Sequence, residues 1–253
     1  VLPAPPKKIA HLWGLELETP TSEKTLQDAE DFCCVAPLHL VHALADRQVS
    51  PRLFLVTKGA QHPVTSPEQA LLWGFGATLA AEMPELETTL IDAEDTDSLF
   101  SELTHPNDEN RIALRGKDRL AQRLVRYHAP PQTTPFVPDP NKTYLITGGL
   151  GGLGFASAQK LVAMGAKHIA LTGRKAPSPD VQTSLDALRS SGASLYVLQA
   201  DVARKDHVVA MMETLREKGA PPIAGLFHAA GVLDDATLPN LSKTRIHAVL
   251  APK

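Results

Sequence analysis

The sequence predicts an α/β fold of parallel sheets flanked by helices, arranged as two tandem subdomains with the second truncated. Three observations carry this. Short apolar runs rich in β-branched residues alternate with stretches of helical spacing along the 253 residues. Residues 128–142, HAPPQTTPFVPDPNK, hold five prolines in a short polar stretch and separate two textures as an extended connector would. A glycine-rich turn follows the first strand-like run of the second half. The expected subdomains are therefore residues 1–135 and 136–253.

In the first half, residues 52–57, 88–92 and 111–114 read as strands, and Glu68 to Glu82 carries helical spacing. Gly59 follows a strand, but no set of spaced glycines opens the next helix, so this half is expected to be a cofactor-free scaffold. Cys33, Cys34, His39 and His42 fall within one amphipathic segment. Adjacent cysteines point to different helix faces, which strains a closed tetrahedral site, so core packing is expected and no metal.

The second half has a stricter rhythm. Residues 143–147, 167–172, 194–199 and 223–228 read as strands, each separated from the next by a helix-length segment. That βαβαβαβ order requires a parallel sheet with right-handed crossovers. A helix is expected from Phe155 to Met164. Another places Val181, Leu185 and Leu188 on one face between Ser178 and Gly192, and a third does so for Val208, Met212 and Leu215 before Gly219.

The chemistry sits at the strand ends. Thr147-Gly148-Gly149-Leu150-Gly151-Gly152-Leu153-Gly154 lies between a strand and a helix, where glycines permit a tight turn and a close approach to a pyrophosphate at the helix N-terminus. Gly149, Gly151 and Gly154 fit one dinucleotide spacing, while Gly148, Gly152 and Gly154 fit a wider one, and spacing does not choose between them. This is the signature of a Rossmann-like sheet. Arg174, after the second strand, suits the 2′-phosphate of NADPH where an acidic residue would suit NAD; a solvated basic pair with Lys175 is the competing reading. Asp201 with Val202 follows the third strand, where Asp201 either accepts from an adenine amino group or caps the next helix. After the fourth strand, Ala229, Ala230 and Gly231 let a cofactor approach backbone, although packing would also use small residues.

TYLITGGLGGLG, LTGR, ADV and FHAAGVLDD, with PRLFLVTKGAQ and ALLWGFGATLAAEMPEL in the first half, resemble the ketoreductase domain of modular polyketide synthases, a branch of the short-chain dehydrogenase/reductase family. The resemblance runs along most of the sequence. It implies NADPH-dependent reduction of a β-ketoacyl group, held on the phosphopantetheine arm of an acyl-carrier protein, to a β-hydroxyacyl group. The other domains of the same synthase would be partners. A fatty-acid-synthase-type ketoreductase and a non-catalytic structural relative are the alternatives. By the resemblance, Lys253 is the catalytic lysine that lowers the pKa of a proton-donating tyrosine, and Leu233, Asp234 and Asp235 mark the B-type class with a D-hydroxyl. Tyr127, Tyr144 and Tyr196 are the only tyrosines, and none follows the fourth strand where the donor belongs. The catalytic serine and tyrosine are thus expected beyond Lys253, which stands inside an expected helix, and the chain is read as a fragment.

Composition narrows the rest. The 28 acidic and 25 basic residues, net −3, are spread along the chain and offer no basic stripe to nucleic acid. No apolar run approaches the ~20 residues of a membrane span, and two neighbouring cysteines fit a reduced, cytoplasmic setting.

Overall fold

A computed structural model describes residues 4–105, 107–128 and 135–253. The chain divides into two compact units, Val1–Tyr127 with Asp235–His247, and His128–Asp234 with Ala248–Lys253. Part of the expected connector, residues 129–134, lies outside the described residues. Asp235–His247, expected with the second subdomain, groups with the first unit for a local reason. Leu238 N–H donates to a Glu82 carboxylate oxygen at 2.7 Å, the Leu238 carbonyl accepts from the His42 ring at 2.8 Å, and Lys243 pairs with Asp31 at 2.7 Å.

In the first unit, β1 (Lys8–His11), β2 (Arg52–Thr57), β3 (Thr89–Ala93) and β4 (Arg111–Arg115) are parallel neighbours in sequence order, and β5 (Asp118–Ala121) pairs antiparallel with β4. The strands expected at 52–57, 88–92 and 111–114 form within a residue of their expected bounds; β1 and β5 lie outside the expected set. Helices α1 (Glu23–Glu30) and α2 (Ala36–Asp46) flank a π turn, Asp31–Val35; α3 (Ala70–Glu82) and α4 (Thr96–Thr104) complete the unit. Alternation sorts the core. Phe54, Val56, Ile91 and Ile112 face Leu99 and Leu103 of α4. Leu55 and Leu90 face the opposite way, so close to α3 that a Cβ on Gly76 would lie 2.5 Å from Leu90. Cys33, Cys34 and Val35 of the π turn are all buried. Burial raises both thiols to about 12, so they stay protonated core groups.

The second unit holds β6 (Thr143–Thr147), β7 (His168–Gly173), β8 (Ser194–Gln199) and β9 (Ile223–His228), all parallel, in the spatial order β8-β7-β6-β9. Its helices are α5 (Gly152–Ala163), α6 (Pro179–Ser190) and α7 (Lys205–Glu217). Tyr144, Ile146, Ile169 and Leu171 pack against Ala158 and Leu161 of α5 and Leu185 and Leu188 of α6. Leu145, Ala170 and Leu198 pack on the other face against Met211 and Leu215 of α7. Ser178 accepts from Val181 N–H at the start of α6, and Gly192 and Gly219 take positive φ of 92° and 71° past the ends of α6 and α7.

Three expectations are corrected here. Helix α5 begins at Gly152 rather than Phe155, because the glycine turn itself winds into the helix. Met211, not Met212, is the buried methionine of α7; Met212 is one position round and 37% exposed. The last helix, α8 (Lys243–Leu250), ends before Lys253, whose N–H donates to the Leu250 carbonyl in a closing turn.

Candidate cofactor-binding site

A doubly wound sheet opens a crevice at the carboxyl ends of its strands where strand order reverses. In the second unit the chain winds outward from β6 to β7 and β8, then returns to place β9 on the other side of β6. The reversal lies between β6 and β9, and the glycine turn leaves β6 at that point. The first unit has no reversal, since its strands follow in sequence order. There, the loop amides after β2 are already taken: the fully buried Asp92 carboxylate accepts from Ala60 N–H at 2.9 Å, Gln61 N–H at 3.3 Å, the Thr57 hydroxyl at 2.6 Å and Arg115 at 2.6 Å. The amides that would meet a phosphate are satisfied by a side chain.

A cavity of about 480 Å³ occupies the crevice of the second unit. Among the residues expected from sequence, Gly148, Leu150, Gly151, Arg174, Asp201, Val202, Ala229, Ala230 and Gly231 line it. Gly149, Gly152, Leu153 and Gly154 shape the turn outside the lining, and Leu233, Asp234 and Lys253 also stand outside it. Asp235 belongs to the first unit, where its carbonyl accepts from Arg245 at 3.1 Å.

Three glycines are fixed by geometry, Gly149 among them because a Cβ there would lie 2.9 Å from the Ile146 carbonyl oxygen. Gly148 has φ +65°, and a Cβ there would lie 2.6 Å from the Ala229 carbonyl oxygen. A Cβ on Gly154 would lie 2.4 Å from the Gly148 carbonyl oxygen. Gly152 meets nothing within 4 Å and Gly151 only an ordinary contact at 3.4 Å, so neither sequence spacing is demanded in full by the packing of the chain itself. The turn is closed by Gly149 N–H to the Thr172 carbonyl at 3.0 Å and Gly151 N–H to the Gly148 carbonyl at 3.0 Å. The N-cap of α5 is Gly151, which has no side chain to satisfy the first-turn amides.

Beneath the turn, buried Thr147 joins two strand ends. Ala230 N–H donates to Thr147 Oγ1 at 3.3 Å, and the same hydroxyl lies 2.7 Å from His228 Nδ1. His228 Nε2 lies 2.8 Å from the Pro252 carbonyl, which can only accept. The proton therefore sits on Nε2, and Nδ1 accepts from Thr147. This chain of bonds ties β6, β9 and the residue before Lys253 together.

Asp201 Oδ1 accepts from Ala203 N–H at 3.1 Å in a local turn, leaving Oδ2 for a guest. Of its two sequence readings, the helix cap is not adopted: the N-cap of α7 is Arg204. The Arg174 guanidinium has no carboxylate partner among the described residues.

Thr172 and Pro252 are among the lining residues that sequence reasoning missed. Thr172 is fully buried, and its Oγ1 has no partner among the described residues. Its signal in sequence was a hydroxyl residue at the end of the second parallel strand. The three crowded glycines, which bring backbone to the cavity edge, fit a dinucleotide lying across the crevice. Among the described residues, no cluster of three or more potential ligands could hold a metal ion, and no helix is long and apolar enough to cross a membrane.

A family model for the KR domain matches residues 142–253. The chain is 35% identical over 216 residues to a phenolphthiocerol/phthiocerol polyketide synthase of Mycobacterium tuberculosis, covering 81% of this chain and 12% of that protein. It is 36% identical over 231 residues to polyketide synthase GfsA of Streptomyces halstedii, covering 85% of this chain and 3% of that one. Among solved structures, A-type ketoreductases from a modular polyketide synthase superpose with TM-score 0.80 at 27% identity, over 98% of this chain and 54% of theirs. The ketoreductase PlmKR1 from the first module of phoslactomycin biosynthesis in Streptomyces sp. HK803 gives 0.75 at 30% identity, over 88% and 53%. The chain thus spans a small part of those synthases and about half of those solved ketoreductases. Residues 142–253 thus match the ketoreductase (KR) domain family, and the likeness to polyketide-synthase ketoreductases extends through both units.

Proposed function

We propose that this chain serves the NADPH-dependent reduction of a β-ketoacyl group, carried on the phosphopantetheine arm of an acyl-carrier protein, to a β-hydroxyacyl group during polyketide chain extension. The observation that carries the reading is the cavity at the β6/β9 reversal, with its glycine turn at the centre and Arg174, free of any carboxylate among the described residues, at its edge. A dinucleotide bound there supplies hydride to the keto carbon. The protein's part is to bind and orient. The uncapped amides in the first turn of α5 face the pyrophosphate. Arg174 pairs with the 2′-phosphate, and Asp201 Oδ2 accepts from the adenine amino group. Ala229, Ala230 and Gly231 leave room for the nicotinamide end against backbone.

Lys253 is assigned the cationic role beside a proton-donating tyrosine, where its charge favours the phenolate and eases proton transfer. The His228 to Pro252 bond supports this by fixing the backbone one residue earlier. Leu233, Asp234 and Asp235 are assigned to steering the carrier arm toward the D-hydroxyl, the B-type outcome. The other synthase domains are partners, and two free buried cysteines suit a cytoplasmic setting.

The test is NADPH oxidation by the native polypeptide bearing this chain, with a β-ketoacyl carrier protein as substrate and chiral analysis of the product. The expected result is one D-hydroxyacyl group per NADPH. Arg174→Ala should raise KM for NADPH roughly 10- to 100-fold, the worth of a charge-assisted pair, with little change in kcat. Asp235→Ala should lower stereochemical purity. An L-configured product overturns the B-type assignment, and an absence of reduction with NADPH overturns the reading.

A further inference from the structure

The cavity continues past Arg174. A second hollow of about 460 Å³ is bounded by Arg174, Gln199, Ala200, Asp201, His207 and Ala210. Arg174, Ala200 and Asp201 line both hollows, so the second extends the first at its outer end. The rim is braced, since the Gln199 side chain donates to the Arg174 carbonyl at 3.0 Å.

His207 stands in the first turn of α7, half-buried, with Nδ1 3.2 Å from the Asp201 backbone N–H. A backbone N–H can only donate, so Nδ1 carries the lone pair and the ring proton sits on Nε2. No other bond to the ring is formed among the described residues, which leaves Nε2–H free for a guest. Neither nearby carboxylate pairs with the ring or the guanidinium: Asp206 pairs with Arg204 at 2.7 Å, and Asp201 accepts from Ala203 N–H through Oδ1 and keeps Oδ2 open. The hollow therefore presents a guanidinium and an imidazole N–H, two donors with no acid paired to either. Two such donors side by side suit a phosphate oxygen, while the acceptor Asp201 Oδ2 lies where both hollows meet and is the group assigned above to the adenine amino group.

We infer that His207 is a specificity-determining residue that, together with Arg174, grips the 2′-phosphate of NADPH. The inference rests on the dinucleotide reading above and adds to it a residue outside the strand-end motifs. Its bond to Asp201 also means that His207 orients the turn carrying the adenine acceptor, so a purely structural role must be separated from phosphate contact.

The experiment titrates the chain with NADPH and with NADH by calorimetry, as wild type, His207→Asn and His207→Gln. Asparagine keeps an acceptor near the Nδ1 position and removes the Nε2 donor; glutamine restores an N–H near Nε2. Unchanged thermal midpoints verify folding. His207→Asn should weaken NADPH roughly tenfold with NADH unaffected, and His207→Gln should recover part of the loss. Equal loss for both dinucleotides, or none for either, overturns the inference while a wild-type preference for NADPH leaves the dinucleotide reading standing. A wild type that binds NADPH no tighter than NADH overturns the reading and the inference together.

Discussion

At Gly154 the absence of one methyl group lets α5 start directly against the turn, 2.4 Å being far inside any carbon–oxygen contact. Both partners are backbone, so the neighbour cannot swing aside. Gly154→Ala should cost about 1–3 kcal/mol in urea unfolding and abolish measurable NADPH binding. The two cysteines give a pH test. Burial holds their thiols at about 12, above the ordinary 9.0, so the unfolded chain loses these protons first as pH rises. Stability is then unaffected near neutral pH and falls progressively between those values; urea midpoints through that range measure it. In the native state neither thiol should react with iodoacetamide, and both should react once the chain unfolds. The glycines and Arg174 were legible in sequence because strand, turn and helix frame them. His207 was not. It matters through one partner, the Asp201 amide, and that relation leaves no spacing in the chain.

The elements show why one sheet holds a site and the other does not. Asp92 closes the β2 and β3 ends of the first unit with Arg115, itself mostly buried. Asp92→Ala strands that guanidinium and should destabilise the chain by about 3–5 kcal/mol, read from denaturant unfolding; a loss below about 1 kcal/mol would show the cluster to be incidental. The segment Asp235–His247 is held by Asp31. Partial burial pushes this carboxyl upward, but hydrogen bonds from Lys243 and His247 outweigh it, and the net position is below the ordinary carboxylate value. A depressed carboxyl contributes stability above its unfolded pKa and loses it as pH falls through the folded one. Asp31→Asn should therefore flatten the acid limb of the unfolding curve and leave the alkaline limb alone. The long strands were legible from their alternation. The short β1 (Lys8–His11) and the polar β5 (Asp118–Ala121) were not, since the first has four residues and the second takes its place from pairing with β4 through the Gly116 turn.

For the molecule as a whole, strand order decides function, and strand order was the least legible feature. Alternating strands and helices predict parallel sheets in both halves, but a run of βα units reads the same whether it winds in one direction or turns back. The glycine turn was the only local hint of where the reversal lies. A ligand confined to one unit should stabilise it by about 2.7 kcal/mol at a hundredfold excess over Kd, visible as a rise in calorimetric midpoint. The most direct measurement is backbone hydrogen exchange of the chain with and without saturating NADPH. Slowed exchange at residues 148–154, 172–174 and 229–231, with residues 59–61 unchanged, is the expected result. Protection at 59–61, or none at the glycine turn, would contradict the placement of the dinucleotide at the β6/β9 reversal.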